Sequence, residues 1–289
     1  MSKIFEALRK TESELAEVAK AVLGEGISSV PASDFNDAIP SVSGQTTNSV
    51  ADLSDKVRSV TVDLAPESPL LPFHGIESRA AQQYRIIRTK IDHHPGQPRV
   101  VMVSSPMPGD GKTVSAINLA AVFALHEQVR VLLIDCDFRR TSATGLLGVP
   151  RTPGLLEVLR NETSLESALV RIDQSPNLYV LAPGGTSTGA TELLASAQWQ
   201  ELMDLCRSEF SVVILDAPPI GAVAEYDLLQ LSSDGVVLVV RQDHTNRQLL
   251  RKALDSVPKA KQLGVILNCS KEWFLWKTHS YYYYSGKAG

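Results

Sequence analysis

Residues 100–123 read VVMVSSPMPGDGKTVSAINLAAVF, and this stretch decides the fold. It opens with an apolar run that predicts a buried strand, and it closes with apolar residues at helical spacing. The segment GDGKT, residues 109–113, lies between the two elements, where a phosphate-binding loop is expected. The strict GxxxxGK[S/T] pattern is not met, because Pro106 occupies the position of the first glycine. Taken alone, GDGKT is also compatible with a helix-initiating turn, but the flanking strand and helix favour phosphate binding.

A phosphate-binding loop acts through its backbone and two side chains. Gly109 and Gly111 let backbone N–H groups approach phosphate oxygens closely. We expect Lys112 to reach the β- and γ-phosphates of a nucleotide and the Thr113 hydroxyl to bind Mg²⁺. The other loop residues expected at the nucleotide are Pro108, Asp110 and Val114.

Six apolar runs alternate with helix-length segments between about residue 71 and residue 270. The runs are RVVMVSS, VRVLLID, LYVLAP, SVVILD, GVVLVV and LGVILN. Near-continuous Val, Ile and Leu is typical of strands buried on both faces, and the segments between them favour helices that cover a parallel sheet on two sides. We therefore predict an α/β fold with a doubly wound, mostly parallel sheet of the P-loop NTPase type. Its ligand is expected at the carboxyl ends of the strands.

Acidic residues end two more of the predicted strands. Asp135 and Asp137 follow VLLI, with Arg139 at DxDxR spacing, and Asp216 follows VVIL. Like charges this close repel each other unless a cation or an arginine compensates them, and Mg²⁺ would do so. Asp216 has the position expected of a carboxylate that holds Mg²⁺ directly or through water. The alternative for each aspartate alone is a solvated residue at a strand end.

The composition excludes several classes of protein. The chain has 289 residues, enough for one large domain with extensions, and its net charge of −4 argues against a general nucleic-acid partner. Three widely spaced cysteines form no CxxC pair, which indicates a reducing compartment. The sequence has no long apolar run and no leader-like start, so we expect a cytoplasmic protein.

Three segments lie outside the strand and helix pattern. Residues 1–23 carry apolar residues at helical spacing among charged ones, which predicts an amphipathic helix that binds a partner or is solvated. Residues 24–70 are rich in Ser, Pro, Asp, Thr and Gly, which predicts a flexible linker. Residues 271–289 form a tail with four consecutive tyrosines, Tyr281, Tyr282, Tyr283 and Tyr284. From the tail alone, aromatic packing and a role as substrate both stay open.

Together, SSPMPGDGKT, VLLIDCDFRR and VVILDAPP resemble the Walker A, A′ and B motifs of the bacterial tyrosine kinases that control capsule and exopolysaccharide synthesis. The resemblance extends from residue 71 to residue 284 and places the chain among the MinD- and ParA-like P-loop ATPases. Those ATPases usually carry a lysine where this sequence has Met107, so the kinase branch is favoured. The alternatives are an ATPase that does not phosphorylate tyrosine and a nucleotide-gated assembly scaffold.

The resemblance implies an ATP- and Mg²⁺-dependent autokinase whose terminal tyrosines are phosphorylated by neighbouring copies. It assigns catalysis to Lys112, Asp135, Asp137 and Arg139. Asp135 is expected to be the base or a metal-shell carboxylate, with Asp137 as second choice, and Arg139 is expected to orient Asp135 or to contact phosphate. The expected metal ligands are Thr113, Asp135 and Asp216. Residues 71–270 are then the kinase domain.

Two further sets of residues gain a role from the resemblance. Asn268, after the last predicted strand, is expected to contact adenine or to be a structural residue at a strand end. The family builds its subunit interface on an ExxRxxR helix, and AAQQYRIIRTKI has Gln82, Arg85 and Arg88 at those positions. Both arginines are expected at the interface of a homo-oligomer, and Gln82 stands where the family has the glutamate. A solvated arginine face is the alternative.

The expected partners follow from the same resemblance. A membrane-embedded polysaccharide chain-length protein is expected to activate the kinase and to hold it at the inner face of the plasma membrane, with residues 1–23 as the docking segment. A cognate tyrosine phosphatase is expected to oppose it.

Overall fold

The structure is a computed structural model that describes residues 57–64, 68–70, 79–140 and 142–270. The predicted N-terminal helix, residues 1–23, and the predicted tyrosine tail, residues 271–289, lie outside the described residues.

The described part of the chain contains one sheet of eight strands. They are β1 Arg58–Val60, β2 Val100–Ser104, β3 Val131–Asp135, β4 Leu169–Ile172, β5 Ser175–Leu181, β6 Val212–Asp216, β7 Gly235–Arg241 and β8 Gln262–Asn268. Their order across the sheet is β1-β4-β5-β3-β6-β2-β7-β8. All neighbouring strands are parallel except β4 and β5, which are antiparallel. The predicted mostly parallel sheet is confirmed.

Helices cover both faces of this sheet. They are α1 Arg79–Asp92, α2 Lys112–Phe123, α3 Ser142–Leu147, α4 Leu155–Leu159, α5 Leu165–Ala168, α6 Ala190–Leu194, α7 Ala197–Glu209, α8 Glu225–Ser232 and α9 Arg247–Ser256, followed by a 3₁₀ turn at Lys259–Lys261. One core cluster includes α1 and α2 residues, and the other includes residues of α4, α6, α7 and α8. The fold is therefore doubly wound, as the sequence predicts.

The central strands alternate between these two cores. Val100 and Met102 of β2 pack in one cluster, while Val101 and Val103 pack in the other. Every residue of β2, β3 and β6 is buried. This two-sided burial is why the strands are nearly continuous runs of apolar residues.

One strand lies within the segment 24–70 that the sequence predicts to be a linker. Residues 58–60 form β1, which pairs with β4 at the edge of the sheet. The Gln174 side chain secures the chain beyond β1, since it accepts the N–H of Val62 (3.0 Å) and donates to the Val62 carbonyl (2.7 Å). The linker interpretation therefore does not extend over these residues. β1 is short and mostly exposed, so it lacks the apolar run that identifies the inner strands.

Candidate active site

The sheet brings the predicted site residues together at the carboxyl ends of its strands. In the parallel ladders Val103 of β2 lies opposite Asp216 of β6, and Asp135 of β3 lies opposite the same Asp216. The loop that follows β2 therefore begins beside two strand-end carboxylates. The placement is the one expected of a ligand site in an open parallel sheet.

The phosphate loop depends on glycine at two positions. Gly109 and Gly111 have φ of 87° and 95°, a region that side-chain-bearing residues rarely adopt. A Cβ on Gly111 would also collide with the amide group of Asn268. α2 begins directly after Gly111, at Lys112. The backbone N–H groups of its first turn have no partners within the helix, which suits an anionic ligand.

Lys112 is the buried cation of the site. Its Nζ lies 2.8 Å from Asp137 Oδ2, 3.7 Å from Asp216 Oδ1 and 3.4 Å from Thr113 Oγ1. Burial lowers the pKa of Lys112, but the carboxylates of Asp216 and Asp137 outweigh burial and the net pKa is raised. The ammonium group therefore stays charged at neutral pH.

The carboxylates around Lys112 are unequally satisfied. Asp137 Oδ1 accepts the backbone N–H groups of Arg139 (3.3 Å) and Arg140 (3.0 Å), and its Oδ2 binds Lys112. Asp135 Oδ1 accepts the N–H of Asp137 at 3.1 Å, but Asp135 Oδ2 has no hydrogen-bond partner in the described structure. Both carboxylate oxygens of Asp216 also lack one there. Buried polar atoms of this kind are rare unless a ligand or water completes them.

Burial and mutual repulsion make the two strand-end carboxyls weak acids. The pKa of Asp135 is raised to about 8, mainly by burial and secondly by the nearby charge of Asp216. Burial also raises the pKa of Asp216 to about 6, although Lys112 opposes the shift. One ammonium group thus faces three buried carboxyl groups, which leaves the site short of positive charge.

The donor set fits a hard divalent cation such as Mg²⁺. The unpartnered carboxylate oxygens and the Thr113 hydroxyl are all oxygen ligands. Within the described residues, no group of three or more His, Cys, Asp and Glu side chains would hold a metal unaided. Mg²⁺ usually takes one or two carboxylates and completes its shell with water and phosphate oxygens.

Two predicted residues lie differently from the rest. The Arg139 side chain is exposed, and the contact described for Arg139 is its backbone N–H on Asp137 rather than a side-chain contact with Asp135. Asn268 Nδ2 donates to the Asp110 carbonyl at 2.9 Å, so its amide holds the phosphate loop, and an adenine contact stays a prediction.

The predicted interface arginines occupy α1. Gln82 and Arg85 are on its exposed face. Arg88 is half-buried, donates from Nη1 to the Val122 carbonyl at 3.3 Å and pairs with Asp92 at 3.7 Å. Their role in an assembly remains a prediction.

Sequence reasoning gave no role to the segment between β7 and α9. Arg241, His244 and Thr245 all contact the phosphate loop. The available signal was that Arg241 ends a buried strand and that His244 and Thr245 follow it. Their polar neighbours are typical of an ordinary turn.

Comparison with known proteins identifies the class to which this fold and site belong. A family model described as an AAA domain matches residues 98–265. The tyrosine-protein kinase YwqD of Bacillus subtilis (strain 168) is 37% identical over 215 residues, which are 73% of this chain and 89% of that protein. The kinase domain of VpsO superposes with a TM-score of 0.60 at 29% identity, covering 66% of this chain and 97% of that one.

A longer relative is matched only in part. The succinoglycan biosynthesis transport protein ExoP of Rhizobium meliloti (strain 1021) is 36% identical over 176 residues, which are 59% of this chain and 22% of that protein. The nucleotide-binding AAA class is thus defined by the family model, the sheet and the phosphate loop. Within it, the chain belongs to the bacterial tyrosine kinases of the MinD- and ParA-like P-loop ATPases, and its enzyme class is protein-tyrosine kinase.

None of the helices in the described part of the chain has the length and apolar composition needed to cross a membrane.

Proposed function

We propose that this chain is an ATP-dependent autokinase that phosphorylates Tyr281, Tyr282, Tyr283 and Tyr284 on neighbouring copies of itself and thereby regulates exopolysaccharide or capsule synthesis and export. The observation that carries the proposal is the buried group of Lys112, Asp135, Asp137 and Asp216 beneath a glycine-containing phosphate loop. Its single ammonium group and its unpartnered carboxylate oxygens suit a nucleotide bound with a divalent cation.

The nucleotide would be held mainly by the loop and by Lys112. The N–H groups around Gly111 and the start of α2 would bind phosphate oxygens, and Lys112 would pass from Asp137 to the β- and γ-phosphates or be shared between them. Thr113 and Asp216, with Asp135 nearby, would hold Mg²⁺. When bound, Mg²⁺ neutralises the charge that develops on the transferred phosphoryl group.

The contacts favour Asp135 over Asp137 as the base. A tyrosine hydroxyl has a pKa near 10, so it needs an acceptor for its proton at neutral pH. Asp135 Oδ2 is unengaged in the described structure, and burial raises the pKa of Asp135, which makes its ionised form a stronger proton acceptor. Asp137 is bound on both oxygens, so its proposed role is to position Lys112. Arg139, which is exposed, is proposed to contact the phosphate chain.

The test is the intact mass of phosphatase-treated full-length protein after incubation with Mg²⁺ and ATP. Wild type should gain mass in phosphate steps. Lys112→Met should gain none, and a variant with all four tail tyrosines changed to Phe should gain none or nearly none. Phosphate gain that survives the four Phe substitutions would refute the tail as acceptor while leaving the kinase intact. Mixing Lys112→Met with the Phe variant tests transfer between copies, because only trans phosphorylation can then label the Lys112→Met chain.

Phosphorylation is proposed to loosen the assembly of copies through Arg85 and Arg88. Each phosphotyrosine adds about 1.5 to 2 negative charges, so several on one tail repel each other and the acidic site. The oligomeric mass of phosphorylated protein should be lower than that of phosphatase-treated protein, and equal masses would contradict the idea. The Arg85→Ala variant should resemble the phosphorylated form.

The proposed activator is a membrane-embedded polysaccharide chain-length protein, and a tyrosine phosphatase is the proposed opponent. The support is the similarity to ExoP, a succinoglycan biosynthesis transport protein. If residues 1–23 dock the chain to the activator, their deletion should abolish co-purification with it but leave the fold of residues 79–270 unchanged. Retained co-purification would assign docking to another surface.

A further inference from the structure

The outer side of the phosphate loop is held by residues from two distant segments. Arg241 is the last residue of β7, His244 and Thr245 come from the connection between β7 and α9, and Asn268 is the last residue of β8. These four residues, with the Asp110 side chain that they surround, are termed the loop clamp below.

Asp110 is the centre of the loop clamp. Its side chain is fully buried although it belongs to the loop itself. Asp110 Oδ2 accepts the N–H of Met107 at 3.0 Å, and Oδ1 accepts the hydroxyl of Thr245 at 2.6 Å. The Thr245 oxygen in turn accepts the N–H of Arg241 at 2.7 Å. Thr245 thus links the end of β7 directly to the phosphate loop.

Three consecutive loop carbonyls are bound on the same outer side. His244 Nε2 lies 3.3 Å from the Pro108 carbonyl and donates to it in the tautomer with the proton on Nε2. Arg241 Nη1 donates to the Gly109 carbonyl at 3.4 Å, and Asn268 Nδ2 donates to the Asp110 carbonyl at 2.9 Å.

Holding these carbonyls determines where the next N–H groups point. In a planar trans peptide the C=O of one residue and the N–H of the next point in opposite directions. Donors outside the loop at Pro108, Gly109 and Asp110 therefore turn the N–H groups of Gly109, Asp110 and Gly111 towards the inner side. In the described part of the chain, none of those three N–H groups donates to another backbone carbonyl outside a helix or strand.

We propose that Asp110 and Thr245 are positioning residues for phosphoryl transfer: the loop clamp fixes the loop backbone with three N–H groups directed at the β-phosphate of the nucleotide. The inference rests on the nucleotide binding proposed above and adds the residues that shape the site without touching the nucleotide. Preorganised donors of this kind bind an anion without the cost of ordering the loop at the moment of binding.

The loop clamp should affect binding of the phosphate chain. It should not affect binding of the adenine or the overall stability of the fold. A loop shaped for the β-phosphate should distinguish ADP, which carries that phosphate, from AMP, which does not. Loss of the loop clamp should therefore weaken the affinity for ADP and leave the affinity for AMP unchanged. A purely structural Thr245 would change thermal stability and affect both nucleotides equally or neither.

The experiment measures the dissociation constants of Mg²⁺–ADP and of AMP for the full chain by calorimetry. Thr245→Val removes the hydroxyl but keeps the shape, and it leaves the buried Asp110 oxygen without its donor. We expect about a tenfold weaker affinity for ADP, an unchanged affinity for AMP and a raised KM for ATP in autophosphorylation. Thr245→Ser keeps the hydroxyl and should bind ADP within about twofold of wild type.

A matched control is available at Thr191. Its hydroxyl donates to Glu225 at 3.1 Å, and like Thr245 it is half-buried and paired with a carboxylate. Thr191→Val should leave ADP binding unchanged. An equal loss of ADP affinity in Thr191→Val and Thr245→Val, or a loss in Thr245→Val that Thr245→Ser does not rescue, would overturn the inference.

The remaining outcomes are also decisive. If wild type fails to bind Mg²⁺–ADP, the proposed nucleotide function fails; if wild type binds and Thr245→Val binds equally, only the loop clamp fails. Should Thr245→Val not fold, His244→Ala replaces it, because that side chain is 41% exposed and its loss is tolerable for the fold. We expect His244→Ala to weaken the affinity for ADP about threefold and to leave the affinity for AMP unchanged. If His244→Ala bound ADP with wild-type affinity, the loop clamp would be refuted.

Discussion

Two aspartates at opposite ends of the same sheet show how differently one residue type is used. Asp234 precedes β7 at the amino end, where it accepts the N–H groups of Arg99 (2.9 Å) and Val100 (2.8 Å) and both terminal nitrogens of Arg207. Asp216 ends β6 at the carboxyl end, where its oxygens have no hydrogen-bond partner in the described structure.

The pKa values of these two groups move in opposite directions. Burial raises the pKa of Asp234, but the hydrogen bonds from Arg207, Val100 and Arg99 outweigh burial and the net pKa is lowered. Burial raises the pKa of Asp216 to about 6. A carboxylate that is fully satisfied within the fold supports stability, whereas one that is left unsatisfied costs stability and stays available to a ligand.

The strongest test of this comparison is Asp216→Asn. The substitution removes a proposed metal ligand, so the autophosphorylation rate should fall by at least about a hundredfold. It also removes one of the three buried carboxyl groups that share the single ammonium group of Lys112, so the free energy of unfolding in EDTA should be unchanged or higher. Phosphate incorporation and urea denaturation at pH 7 measure the two effects. Loss of stability together with activity would show that Asp216 is structural after all.

The converse test is Asp234→Ala. It strips two backbone N–H groups and the Arg207 guanidinium of their acceptor, so the free energy of unfolding should fall by about 2 kcal/mol in urea denaturation. The folded fraction should phosphorylate at the wild-type rate, because Asp234 is at the opposite end of the sheet. Asp255→Ala serves as the control at an exposed position and should stay within about 0.5 kcal/mol of wild type. A lower phosphorylation rate in folded Asp234→Ala would contradict the assignment of Asp234 to stability alone.

A third test is the dependence of stability on pH in metal-free buffer. The pKa of Asp135 is raised to about 8 in the fold, so the folded state holds this proton more tightly than the unfolded chain, and the free energy of unfolding should decrease from about pH 4 to about pH 8. Asp135→Asn should remove the decrease above about pH 6, and the raised pKa of Asp216, about 6, should leave a smaller decrease between about pH 4 and pH 6.

Asp234 should contribute with the opposite sign. Its pKa is lowered in the fold, so its stabilisation is present above the unfolded pKa of about 3.9 and is lost as pH falls through the folded value. The gap in unfolding free energy between wild type and Asp234→Ala should therefore narrow below about pH 4. Parallel pH profiles for wild type, Asp135→Asn and Asp234→Ala would contradict both assignments.

The inner strands and the site carboxylates were predictable because their signals are local. A strand buried on both faces must be apolar along its length, as in β2, β3 and β6, and a polar residue at its end then stands out. The sequence therefore predicts where Asp135 and Asp216 lie. It does not reveal that Asp137 binds Lys112 through Oδ2 while Asp135 keeps one oxygen unengaged, since this depends on side-chain directions.

Strands β1 and β4 and the loop clamp were not predictable for the opposite reason. β1 and β4 contain only three and four residues, and each includes an arginine, so neither gives a clear apolar run. Thr245 gains its role from a hydrogen bond to Asp110, 135 residues earlier in the chain. Without knowledge of which strands are neighbours, QDHTN reads as a polar turn.

The strand order also determines when each strand can pair during synthesis. β2 is an inner strand that pairs with β6 and β7, which are synthesised much later. The phosphate loop that follows β2 is completed by Thr245 and Asn268, from still later segments. Contacts this distant in sequence make folding slow, because the chain must close long loops before it gains from pairing. A nascent chain that has just exposed β2 therefore carries an apolar strand without its partners, which makes it a natural client for chaperones during synthesis.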